Sequence, residues 1–143
     1  MVRTFESQAL IMTEPKIRPQ YHLRPTEQGI DAFDVKRLIR LTSDFEVFEI
    51  DPNNIAEIHQ DHWYFQNTSP PTPLSIIEHA QLIRDCDLSY PIILDASGRV
   101  MDGMHRICKA IMEQQSKIKA VQFKVDPDPC YKNCNPDELP YDT

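Results

Sequence analysis

The sequence predicts an α+β domain, a small mixed sheet with flanking helices. Three observations predict it. Three stretches have helical periodicity, one from Asp31, one opening on Thr72-Pro73 and one following Asp102-Gly103. Around them lie short β-prone runs: EVFEI (46–50), YPIIL (90–94), RVM (99–101) and AVQFKV (120–125). A tight turn, DASG (95–98), joins two of these runs as a hairpin.

The elements follow in order. The first 30 residues are polar, and Pro15, Pro19, Pro25 and Gly29 interrupt any long element, so 1–30 reads as an N-terminal arm. From Asp31, DAFDVKRLIRLTSDF reads as a helix with Asp31 as N-cap. Val35, Leu38 and Ile39 give its apolar stripe, which Leu41 and Phe45 extend and Thr42 interrupts. EVFEI alternates charged and apolar residues, as a half-buried strand does, and Asp51-Pro52 closes it. Residues 53–61 have room for one helical turn or two. HWYFQ (62–66) is a strand or a core-anchored loop, and NTSPPTP (67–73) is a loop. Thr72-Pro73, a hydroxyl N-cap before a first-turn proline, starts a helix that runs to about Cys86 and buries Ile76, Ile77, Ala80 and Ile83. YPIIL is almost continuously apolar, the pattern of a central strand. After RVM comes the helix MHRICKAIMEQQ (104–115), with Met104, Ile107, Cys108 and Ile111 inward. AVQFKV is the last strand. The domain proper is 31–125, and the acidic, proline-punctuated 126–143 is a C-terminal tail.

The composition excludes several classes. The chain has 143 residues, one domain's worth, and at 41% hydrophobic and 26% charged it is not a disordered protein. No run of 18 apolar residues is present and the N-terminus has no signal-peptide h-region, so a soluble cytoplasmic protein with no membrane partner is expected. Four unevenly spaced cysteines do not make a disulfide framework. The net charge of −7 disfavours a DNA partner, because binding phosphate backbones needs clustered Lys and Arg.

The informative stretch is Gly98-Arg99-Val100-Met101-Asp102-Gly103-Met104-His105-Arg106. A strand ends at Met101 and a helix begins at about Gly103, one of only three glycines in the chain. A helix N-terminus preceded by glycine presents free N–H groups and the positive end of the macrodipole, a ready site for phosphate or carboxylate. His105 and Arg106 add donors in the first turn. Cations there oppose the dipole, and an anion would offset them. Asp102 reads as the N-cap, worth about 1 kcal/mol, and also as a metal ligand or a base. An ordinary histidine at 105 and an Arg106 paired to a carboxylate are the plain alternatives. Between Arg99 and Lys124 lie six basic residues and two acidic ones, a net +4, so the rest of the chain carries −11.

YPIILDASGRVMDGMHRICKA resembles the core motif of the ParB/sulfiredoxin superfamily: a proline-led apolar strand, a turn, a short strand, then a Gly-x-x-Arg helix start with an alanine four residues on. Here these are Pro91, the turn ending at Gly98, Gly103, Arg106 and Ala110, and the resemblance covers about 46–125. It implies a ParB/sulfiredoxin-like fold whose helix N-terminus holds nucleotide phosphates. Partition proteins of the superfamily use CTP there, sulfiredoxins ATP and a free serine kinase ADP. ATP, ADP or CTP with Mg²⁺ is therefore the expected cofactor, and Gly103, Met104, His105 and Arg106 are the expected phosphate contacts. Asp102 matches the acidic residue of the Asp-Gly-x-His-Arg version of the motif, which takes part in catalysis in the kinase-like members. Where sulfiredoxins carry the nucleophilic cysteine this chain has Met104, whose thioether cannot act as a thiolate, so sulfiredoxin activity is not expected. The chain also lacks room for the DNA-binding and dimerisation domains of partition proteins.

Glu57-Ile58-His59-Gln60-Asp61-His62-Trp63 is a second polar cluster. His59 and His62 would share a helical face as metal ligands with Glu57 or Asp61, or the cluster is a surface turn ending in a core Trp63. The resemblance places this segment near the nucleotide, which makes Glu57 and Asp61 candidate catalytic carboxylates. Cys130 and Cys134 read as free thiols rather than zinc ligands. The expected function is nucleotide binding, coupled to phosphoryl transfer to, or hydrolysis involving, a small-molecule acceptor. The alternatives are a non-catalytic nucleotide-sensing or protein-interaction module and a ParB-like DNA nuclease.

Overall fold

The computed structural model describes residues 20–64 and 70–140; the expectations for 1–19, for 65–69 and for 141–143 lie outside them. The described chain opens with an antiparallel hairpin, β1 (Tyr21–Thr26) and β2 (Gly29–Asp34), so the arm expected over 1–30 is regular strand structure from Tyr21 on. Pro25 is tolerated near the outer end of a strand that has one neighbour. The expected helix start at Asp31 is also corrected. Residues 31–34 are taken into strand pairing, on one side by β1 and on the other by the C-terminal segment. There the Ala32 N–H donates to the Tyr131 carbonyl and the Cys130 N–H donates to the Ala32 carbonyl, both at 2.8 Å. Asp34 is the true cap of α1 (Val35–Leu41), accepting from the Lys36 N–H at 2.9 Å. Thr42, the break in the apolar stripe, is buried but satisfied, because its hydroxyl donates to the Leu38 carbonyl at 2.9 Å.

β3 (Phe48–Ile50) is followed by two short 3-10 turns, Pro52–Asn54 and Ala56–His59, which is the two-turn form of the expectation for 53–61. Then come α2 (Pro73–Asp85), β4 (Ile92–Leu94), β5 (Val100–Asp102), α3 (Met104–Met112) and β6 (Ile118–Gln122). The Thr72 side chain caps α2 through the Ser75 N–H, as the sequence predicts. The main sheet has the order β3-β6-β4-β5. β4 runs parallel to β6, and the other two pairings are antiparallel. Among the described residues this is a small α+β domain of three α-helices, a two-stranded sheet and a four-stranded mixed sheet.

Period-two alternation divides the core. Ile92, Leu94, Val100, Ile118 and Ala120 pack with Met104, Ile107 and Ala110 of α3. Ile93, Met101, Val121 and Phe123 face the opposite way and pack with Phe33 of β2 and Leu38 of α1. Both faces of β4 are therefore covered, which is why YPIIL is apolar throughout. The turn after β4 is organised by buried Asp95. Its Oδ1 accepts from the Ser97 N–H and hydroxyl and from the Arg99 N–H, and its Oδ2 pairs with Arg24 of β1 at 2.9 Å. Hydrogen bonding and Arg24 outweigh burial and hold this carboxyl below its ordinary range.

Two further expectations are corrected. α2 has no fully buried residue, and Ile76 and Ile77 are half-exposed. The stripe it turns to the body is Ser75, His79, Leu82 and Ile83, because it lies along α3 and the 63–64 segment rather than on the sheet. The tail 126–143 is also partly built in. Arg37 donates to the Asp128 carbonyl, Tyr131 bridges Ala32, and Leu139 is buried. No helix among the described residues is long and apolar enough to cross a membrane.

Candidate functional site

The site is built where β5 hands over to α3. Asp102 still lies in the strand, paired with Ile93, and the chain turns at Gly103 with φ +114°. A β-carbon on Gly103 would stand 2.6 Å from Ile92 Cγ2 and 2.9 Å from Ile92 Cβ. Glycine is thus required twice over, by a left-handed backbone and by close packing on the central strand. The Ile107 N–H donates to the Gly103 carbonyl, so Gly103 is the N-cap and α3 begins with no side-chain cap hydrogen bond. This corrects the expectation that Asp102 caps the helix. Its Oδ2 instead accepts from Arg106 Nη2 at 3.0 Å.

That ion pair changes the electrostatics expected of the first turn. Asp102 supplies part of the negative charge that Arg106 needs against the helix dipole. Arg106 Nη2 also reaches the Pro91 carbonyl at 3.4 Å, and its Nε is buried with no hydrogen-bond partner among the described residues. His105 is not a second cation. Burial, with His79 and Arg106 beside it, pushes its imidazole down to about 3. Met104 is buried in the core and takes its place in packing. Gly103, Asp102, His105 and Arg106 are each only partly buried, so this end of the helix meets solvent.

Beside it stands an aromatic cluster. The Trp63 ring stacks on His79 at 4.1 Å and on His105 at 4.9 Å, with interplanar angles of 20° and 16°. The two imidazoles are hydrogen-bonded, His79 Nδ1 to His105 Nε2 at 2.8 Å. Tyr64 meets His79 edge-on, and its hydroxyl is 3.0 Å from Ser75 Oγ. His62 belongs to the same electrostatic neighbourhood, bearing on His79, on His105 and on His22. Burial is the first cause in each and keeps all four below the ordinary imidazole value, His22 at about 4.

The carboxylates from the 57–61 segment are placed differently from one another. Glu57 is buried, accepts the Val100 N–H at 2.8 Å and lies 3.8 Å from Arg99 Nε; it ties the 3-10 turn to β5. Asp61 is exposed and accepts the Tyr64 N–H at 2.8 Å, fixing the turn that presents Trp63. Their hydrogen bonds and ion pair go to Val100, Arg99 and Tyr64, and both carboxylates bear electrostatically on His62. Among the described residues no group of three or more His, Cys, Asp or Glu side chains is placed to hold a metal ion, so the pairing of His59 and His62 with Glu57 or Asp61 does not form a metal site. Asp102 commits Oδ2 to Arg106. All four cysteines are free, and burial pushes the thiols of Cys86 and Cys108 up.

The structure therefore brings together Asp102, Gly103, His105 and Arg106, and adds two partners the motif did not indicate, Trp63 and His79. Trp63 read as a core residue from sequence. His79 went unremarked because its helix was oriented by its isoleucines. The available signal was that Ser75 and His79, one helical turn apart, share a face with Leu82 and Ile83. Compared with protein-family models, with curated proteins and with solved structures, the chain matches none of them.

Proposed function

We propose that this chain is a ParB/sulfiredoxin-like domain that binds a nucleotide, taking its phosphates at the N-terminus of α3. The observation that carries this reading is the uncapped start of α3: its first-turn N–H groups receive no side-chain cap, and the helix opens on a glycine beside a partly exposed Arg106. The order β4, turn, β5, Gly103-x-x-Arg106 supports the superfamily reading. In this account the Met104, His105 and Arg106 amides hold phosphate oxygens. Arg106 stabilises charge on them, and Asp102 holds the guanidinium in position. Neutral His105 donates or accepts a hydrogen bond rather than supplying charge. Magnesium would arrive with the nucleotide, coordinated mainly by phosphates, with Asp102 as the nearest carboxylate in the chain's own motif. A cytoplasmic location belongs to the same proposal and is supported by the four free cysteines.

A second reading, a non-catalytic nucleotide sensor or interaction module, is favoured by the engagement of the carboxylates. Asp102 is tied to Arg106 and Glu57 to Val100, which leaves phosphoryl transfer or hydrolysis with exposed Asp61 as its freest candidate base. The nuclease alternative is the weakest, because a chain at −7 repels duplex DNA. Calorimetric titration with ATP, ADP and CTP, each with and without Mg²⁺, tests the proposal. At least one should bind, and Arg106→Lys, which keeps the charge and loses the planar fork, should weaken it about tenfold. No binding of any of the three at millimolar concentration overturns it. Phosphate release or transfer in the same samples separates enzyme from sensor.

A further inference from the structure

α2 is held to the body lightly. It has 13 residues and none is fully buried. Near its middle, His79 meets His105, and a turn earlier Ser75 meets Tyr64. At its C-terminal end Lys109 donates to the carbonyls of Arg84 and Cys86 at 2.9 and 2.7 Å. Leu82 and Ile83 are only half-buried on the same stripe, and at the start of α3 the contact is made by the histidine pair under its Trp63 cover.

The geometry of that pair is specific. The ring centroids are 5.1 Å apart while the two nitrogens are 2.8 Å apart, the separation reached when the nitrogens point at each other along the line between ring centres. The rings are nearly coplanar, at 24°, and the Trp63 ring lies against both. Nitrogens aimed head-on cannot converge on a common metal ion. They share a proton, one donating and the other accepting, and two charged imidazoles at this distance would repel.

We infer that the His79–His105 pair is a proton-sensitive latch, which holds α2 against Trp63 and α3 and releases it locally as the pH falls. Released, the imidazoles return to water and take up protons near their ordinary value of 6.5; closed, they refuse them. The charges around the pair do not reverse this. Arg106 on α3 and His62 on the loop oppose a proton on His105, while on α2 itself Glu78 favours one on His79. His62 is in turn subject to Glu57, Asp61 and Arg99. Burial remains the first cause for both members of the pair. The latch does not require a bound nucleotide.

Amide hydrogen exchange on the full chain at pH 7 and pH 4.5, corrected for the intrinsic pH dependence of exchange, tests it. Opening of α2 relative to β4 and β6 should rise roughly ten- to a hundredfold across that range. Fluorescence of Trp63, the chain's one tryptophan, should change over the same interval. His79→Gln keeps a hydrogen-bonding side chain that cannot be charged, and should cut the rise at least about threefold. His79→Ala should leave α2 open already at pH 7. The inference is overturned if α2 loses protection only in step with β4 and β6, or if His79→Gln shows the wild-type rise. It is equally overturned if a folded His79→Ala protein keeps α2 as protected as wild type at pH 7.

Discussion

Gly103→Val is expected to destabilise the protein by about 3–5 kcal/mol, combining a strained left-handed backbone with overpacking of the core. The first added carbon would already stand 2.6 Å from Ile92 Cγ2, and Ile92 is a fully buried residue of the central strand with little room to move. The third close atom, Arg106 Nη2 at 3.0 Å, is the same atom that pairs with Asp102. The substitution thus strains the core and disturbs the candidate site together. Urea unfolding measures the loss, and Gly103→Ala should show a smaller one of the same sign. A change below about 1 kcal/mol for valine would mean that neither the packing nor the backbone conformation at this turn is as described.

Stability should also fall steeply from pH 6.5 towards pH 4. The sign follows from the histidines. Burial holds His22 at about 4 and His105 at about 3, whereas in the unfolded chain each titrates near 6.5. Between those values the unfolded chain binds more protons than the folded one, so lowering the pH favours unfolding. Each histidine contributes a slope of up to about 1.4 kcal/mol per pH unit, hence roughly 5 kcal/mol for the two between pH 6.5 and 4.5. His62 and His79 act in the same direction. The depressed carboxyls of Asp51, Asp87 and Asp95 add their own loss only as the pH falls below the ordinary carboxylate value of 3.8. Urea midpoints at pH 7 and 4.5 check this, and His22→Leu should remove about one proton's worth of the slope. Equal midpoints in the wild type would show that these imidazoles are not kept neutral by the fold.

The main sheet was legible because its residues obey a simple alternation. Ile92 and Leu94 face α3 while Ile93 faces α1, and both packings need apolar residues, so the run announces a strand covered on both faces. Thr72-Pro73 marked α2 for equally local reasons. The hairpin of β1 and β2 was not legible, since Asp31 and Asp34 are both good caps for a following helix. What decides between them is pairing of Ala32 with Tyr131, almost a hundred residues on. The orientation of α2 was misread because exposed Ile76 and Ile77 carry the strongest local apolar signal, while the contacts that turn the helix are polar, through Ser75 and His79. The Gly-x-x-Arg element does fall where β5 gives way to α3. Its glycine is explained first by Ile92, and its arginine is partnered first by Asp102. Such partners are set by tertiary packing, which spacing along the chain does not reveal.

On the proposed function, the uncapped start of α3 receives phosphates. Titrating the ¹⁵N-labelled chain with ATP and Mg²⁺ and following the backbone amides by NMR tests it most directly. The Met104, His105 and Arg106 amides should show the largest saturable shifts, with the Trp63 indole signal responding through its contact with His105. Saturable shifts centred elsewhere, or none at millimolar nucleotide, would contradict the claim.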